Sequence, residues 1–133
     1  MFKNILIVGC GLIGSSILRA SINNKTSKNF FVFEKSKKNI REIKKINKRI
    51  IILKKLDNKI SDIDLVILAT PMSQYERVIP YLNKYLSKKS LITDVGSTKE
   101  NIKKLKNKSI PKSLDWIMSH PISGSEVSGP KYG

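Results

Sequence analysis

The sequence predicts an α/β protein of the doubly wound kind, a mainly parallel sheet with helices on both faces, and three observations predict it. Short apolar runs, the mark of strands buried on both sides, alternate with segments of helical periodicity along the 133 residues. The first run, Ile5-Leu6-Ile7-Val8, leads directly into Gly9-Cys10-Gly11-Leu12-Ile13-Gly14. An acid, Glu34, closes the second run twenty residues beyond Gly14. The length is that of one domain, taken as residues 1–133.

Each element has its own justification. Residues 3–8 are too short for a helix and end at glycine, which makes them a buried strand. From residue 12 to 23, Leu12, Ile13, Ile17, Leu18 and Ile22 recur at helical intervals with no proline. Residues 30–33 are aromatic or β-branched and form a second strand. Ser36 then N-caps a helix with Ile40, Ile43 and Ile46 on one face and lysines on the other. Residues 49–53 offer a short third strand, although Ile50-Ile51-Ile52 could equally extend a helix. Leu65-Val66-Ile67-Leu68-Ala69 is a fourth strand, stopped by Thr70-Pro71. Tyr75, Val78, Ile79, Leu82 and Leu86 keep helical spacing, with Pro80 either starting the regular part or kinking it. A fifth strand over 90–95, a basic helix over 98–106 and a sixth strand over 115–119 complete the alternation. Residues 120–133, rich in Gly and Pro, read as loop. Such alternation implies right-handed crossovers and a sheet covered on both sides.

The spacing G-x-G-x-x-G gains its meaning from a strand before it and a helix after it. Gly9 permits the tight turn, Gly11 lets backbone approach a pyrophosphate, and Gly14 lets helix and strand pack closely. The amides of Leu12 and Ile13 then open a helix N-terminus suited to an anion. Glu34 stands where a carboxylate accepts hydrogen bonds from an adenosine ribose and repels a 2′-phosphate. The expected fold is therefore Rossmann-type and the expected cofactor NAD. Lys35, Lys37 and Lys38 leave NADP open, or else simply coat an exposed helix. Cys10 occupies a small-residue place in the turn rather than a redox site.

The only histidine, His120, follows the sixth strand, at the sheet edge where open parallel sheets bind ligands. An imidazole, titrating near about 6.5, can take a proton from a hydroxyl as hydride leaves the same carbon; a structural role in the loop is the competing reading. Ser97, in Asp94-Val95-Gly96-Ser97-Thr98-Lys99, leaves the fifth strand on that edge and could orient substrate or imidazole, or cap the next helix.

Composition excludes several classes. No apolar run approaches the roughly 20 residues of a membrane span, and residues 1–8 lack a cleavable-signal pattern, so a cytoplasmic setting is expected. One cysteine can build neither a disulfide nor a thiolate metal cage. The net charge is +16, and residues 35–63 hold eleven Lys or Arg against three acids. Nucleic-acid sites usually mix Arg and aromatics into such a patch. Here 22 of the 26 cations are lysine, which argues for a solvated face and against a nucleic-acid partner.

The glycine turn, Ala69-Thr70-Pro71, the Asp94 to Lys99 loop and His120-Pro121-Ile122-Ser123-Gly124-Ser125-Glu126 with Gly129 together resemble the nucleotide-binding half of prephenate and arogenate dehydrogenases. The resemblance spans the chain, and Ser123 stands where alanine is more usual. It implies NAD(P)-dependent oxidative decarboxylation of prephenate or arogenate. His120 would match the family's catalytic histidine and Ser97 its serine near the ring hydroxyl, while Ser125 and Glu126 would line the substrate mouth. Ala69, Thr70 and Pro71 would border the cofactor. The family continues into a helical domain that builds a dimer and completes the substrate site. Residues 1–133 are thus expected to fold and bind NAD, with weak or no dehydrogenase activity unless a helical partner chain or a homodimer completes the site. A non-catalytic NAD-binding module is the alternative.

Overall fold

The computed structural model describes residues 1–97, 99–109, 114–120 and 129–131. The elements run β1 (Phe2–Val8), α1 (Leu12–Asn23), β2 (Ser27–Phe33), α2 (Lys37–Ile46), β3 (Ile51–Leu53), β4 (Leu65–Leu68), α3 (Tyr75–Tyr85), β5 (Leu91–Asp94), α4 (Lys99–Ser109) and β6 (Asp115–Met118), with single 3-10 turns at Asn58–Ile60 and Met72–Gln74. All six strands join one parallel sheet in the order β3-β2-β1-β4-β5-β6. The doubly wound Rossmann-type expectation holds.

Side chains alternate across a strand, and β1 shows why its run is apolar without interruption. Leu6 and Val8 join Val66, Leu68, Tyr75, Ile79, Leu82 and Ile92 on the face covered by α3 and α4. Ile5 and Ile7 join Leu18, Val32, Ile43 and Ile67 on the face covered by α1 and α2. Each face buries its own cluster, so neither set of positions tolerates a polar residue. Ile51 and Ile52 resolve as strand: Ile51 pairs with Phe31 and Leu53 with Phe33, which extends the sheet rather than α2.

Several bounds differ from expectation by a few residues, and the start of β2 and the path of α3 through Pro80 have identifiable reasons. β2 begins at Ser27, because polar side chains there serve the sheet edge: the Ser27 hydroxyl donates to the Lys3 carbonyl and the Asn29 amide to Asn4 Oδ1. α3 starts at Tyr75 and runs through Pro80. Pro80 faces solvent, where water can serve the Glu76 carbonyl that its missing N–H leaves without an intrahelical partner. α4 reaches Ser109, three residues past the expected end.

The strand order reverses between β1 and β4. Chains leaving these two strands diverge to opposite sides, and the crevice that opens beyond their carboxyl ends is where sheets of this kind take ligands. The loops after β1, β4, β5 and β6 all leave the sheet at that edge.

Candidate functional site

The turn after β1 is held tightly. The Gly9 amide donates to the Phe33 carbonyl at 2.9 Å and the Ala69 amide to the Val8 carbonyl at 2.8 Å, so the sheet ladder continues into both loops. Gly9 has φ +82°, and a Cβ there would lie 2.7 Å from Thr70. At Gly14 a Cβ would sit 2.3 Å from the Gly9 carbonyl oxygen. At Gly11 it would meet nothing within 4 Å. Two glycines thus let the protein pack against itself, and the middle one keeps space open above the turn.

That space is part of one cleft of about 770 Å³. Gly9, Gly11, Leu12, Ile13, Glu34, Ala69, Thr70, Pro71, Ser97 and His120 all border it. The described candidates for cofactor binding and catalysis therefore reach one crevice, with Gly14 packed beneath it and Lys35, Lys37 and Lys38 outside it. Ser123, Ser125 and Glu126 lie outside the described residues. α1 opens on the cleft from Gly11 with no side-chain cap among the described residues and no acid in its first turn, which leaves its first amides and positive dipole end for an anion.

Glu34 is fixed by three donors: the Cys10 amide at 2.9 Å, the Ser36 amide at 2.8 Å and the Asn39 side-chain amide at 3.3 Å. Its carboxylate thereby ties the glycine turn to α2, whose N-cap is Ser36 as the sequence predicts. Asn39 also borders the cleft, whereas Lys35, Lys37 and Lys38 are exposed and do not line it. Cys10 is fully buried; burial, reinforced by the nearby Glu34 charge and opposed by Arg19, pushes its thiol up to about 12. A neutral buried thiol is a poor nucleophile, in keeping with a packing role.

Ser97 and His120 are both exposed to the cleft at its β5 and β6 side. His120 also borders a second cavity of about 310 Å³, floored by Ile17, Ile67 and Val95. Gly129 reaches the same cleft. Its neighbour Pro130 accepts a hydrogen bond from Arg19 of α1 at 2.9 Å.

Sequence reasoning missed Asn39, Met72, Val95 and Gly96 as bordering residues. It also gave no role to Asp94, which is wholly buried, accepts from the Gly96 amide at 2.9 Å and from the Trp116 indole at 3.1 Å, and carries the carbonyl to which the Ser119 hydroxyl donates. The signal was available: an acid ending an apolar strand, two residues before a glycine. Tyr75, buried with its ring tilted on Trp116 at 6.3 Å, donates its hydroxyl to the Leu68 carbonyl; burial and the Asp94 charge push that phenol upward. Among the described residues no group of His, Cys, Asp and Glu is arranged to hold a metal. No helix among them is long and apolar enough to cross a membrane.

A six-stranded sheet of this order, with a glycine turn at its switch point, defines a nucleotide-binding α/β domain. Residues 23–133 match the family model described as prephenate dehydrogenase, nucleotide-binding domain, and the chain belongs to that family. The cyclohexadienyl dehydrogenase of Zymomonas mobilis is 29% identical over 133 residues, 100% of this chain and 45% of that protein. The prephenate dehydrogenase of Bacillus subtilis is 32% identical over 130 residues, 97% of this chain and 35% of that protein. Prephenate dehydrogenase from Aquifex aeolicus, solved in complex with hydroxyphenyl propionate and NAD+, superposes with a TM-score of 0.84 at 24% identity, covering 99% of this chain and 46% of its own. The chain spans less than half the length of these relatives.

Proposed function

We propose that residues 1–133 form the NAD-binding domain of a dehydrogenase that oxidatively decarboxylates prephenate or arogenate on the route to tyrosine, in the cytoplasm. The observation that carries this reading is the convergence on one cleft of an uncapped helix N-terminus, a ribose-height carboxylate and, at the opposite side of the switch point, Ser97 with the chain's only histidine.

The cleft fits the cofactor. Gly11, Leu12 and Ile13 would seat the diphosphate against the first amides of α1, where the space above Gly11 admits close approach. Glu34 keeps acceptor capacity beyond the three bonds it makes, enough for a ribose hydroxyl, and its charge would repel a 2′-phosphate. Ala69, Thr70 and Pro71 would flank the nicotinamide half, and bound NAD supplies the hydride acceptor. His120 would accept the proton of the substrate's ring hydroxyl, and Ser97 would hold that hydroxyl or the imidazole in line. Because loss of carbon dioxide makes an aromatic ring, alignment is the protein's main task.

Among the described residues lining the cleft there is no Lys or Arg to meet the substrate carboxylates. We propose that those groups lie outside these lining residues, with Ser125 and Glu126 at the substrate mouth and a helical domain, of the same or another chain, completing the site. Separate calorimetric titrations of the chain with NAD and NADP test the cofactor reading. NAD is expected to bind at least about tenfold more tightly, and preference for NADP would contradict the role given to Glu34.

A further inference from the structure

Two loops with separate chain origins bring Ser97 and His120 to one cleft, and a single buried residue is bonded to both loops. Asp94 ends β5 with no exposed surface. One carboxylate oxygen takes the Gly96 amide at 2.9 Å, fixing the backbone immediately before Ser97. The other takes the Trp116 indole N–H at 3.1 Å, fixing β6. The Asp94 carbonyl accepts the hydroxyl of Ser119, immediately before His120. A Cβ at Gly96 would lie 2.7 Å from Ile102 Cδ1 and 3.2 Å from the Asp94 carboxylate, so glycine lets this loop close on the acid.

We propose that Asp94 is the positioning residue of the reactive end of the cleft, registering the Ser97 loop and the His120 strand on one carboxylate. The inference rests on the dehydrogenase reading above and deepens it. Both side-chain oxygens face N–H donors, so only an acceptor-only group satisfies both. An amide of the same shape must turn its NH2 toward one of them, leaving a buried donor unpaired. The glycine turn and Glu34 lie across the switch point and make no bond to Asp94 among those described. Registration at the reactive end is thereby separable from affinity for the diphosphate end.

The test uses the fact that His120 is the only histidine, so its imidazole C–H signals identify themselves in a proton spectrum. In the 133-residue chain, Asp94→Asn is expected to bind NAD within about threefold of the parent affinity, while the NAD-induced shift of the His120 signals falls by at least about half. A generally damaged fold would lose both together. Parent-like affinity with a parent-like His120 shift overturns the role of Asp94 and leaves the cofactor reading intact. Failure of the parent chain itself to bind NAD removes the cofactor reading and this role with it. Should Asp94→Asn not fold, Trp116→Phe cuts the carboxylate's link to β6. A diminished His120 shift at retained affinity in that variant supports the role, and an unchanged shift overturns it.

Discussion

At the scale of single residues, the three glycines of the turn divide between folding and binding. Gly14 has no room for a methyl group against the Gly9 carbonyl, so Gly14→Ala should cost roughly 1–3 kcal/mol of stability or more as the turn is forced apart. Gly11, at φ −75°, has open space where its Cβ would go. Gly11→Ala should therefore leave stability within about 0.5 kcal/mol yet weaken NAD binding at least about tenfold, because the methyl group occupies the diphosphate's approach. Urea titration and calorimetry on the two variants check the division; a Gly11→Ala chain that binds NAD as the parent does would contradict it. Cys10 makes a prediction in pH. Its thiol is raised from 9.0 to about 12, so above pH 9 an unfolded chain gives up a proton that the folded chain keeps. Stability is full below that value and declines as pH rises toward 12, by about 1.4 kcal/mol for each unit of pH across that interval. Cys10→Ala should flatten this decline, and urea midpoints falling in parallel for parent and variant between about pH 8.5 and about pH 10.5 would show that the thiol is not its source.

Elements were legible where their periodicity is uninterrupted and less so where tertiary contacts override local preference. Leu12 to Asn23 was readable to the residue because its apolar spacing begins at the glycine turn and ends at a polar pair. The start of β2 was not, since Ser27 and Asn29 earn their place by bonds to β1 residues twenty-odd positions away. The site shows the same contrast. The glycine turn, Glu34, Ser97 and His120 stand out by residue type and position, whereas the bonds that Asp94 makes arise only because Trp116 of β6 and Ser119 just after it arrive beside it. Pro80 is the clearest override: the packing of Val78, Ile79 and Leu82 carries α3 through a residue that lacks the donor a helix interior requires. Because its position faces solvent and the helix continues on both sides, Pro80→Ala restores the bond to the Glu76 carbonyl and should stabilise the chain by about 1 kcal/mol or more. A lower urea midpoint in that variant would mean that the rigid ring serves α3 in a way the helix geometry does not reveal.

At the scale of the whole molecule, charge and site are segregated. The chain carries 26 cations against 10 acids, yet neither Lys nor Arg is among the described residues bordering the cleft. The crevice presents instead one carboxylate, two hydroxyl residues and an imidazole around backbone amides, a set suited to a nucleotide diphosphate at one end and proton transfer at the other. Both faces of the sheet are consumed by packing, so what the fold leaves for function is its carboxyl edge. The most direct measurement follows the single imidazole of His120 by proton NMR while the chain is saturated first with ADP-ribose and then, in a separate sample, with NAD. Both ligands should bind through the diphosphate and ribose, and only NAD, which carries the nicotinamide, should move the His120 signals. Saturation with NAD that leaves those signals where ADP-ribose leaves them would contradict the placement of the histidine at the reactive end of the cleft.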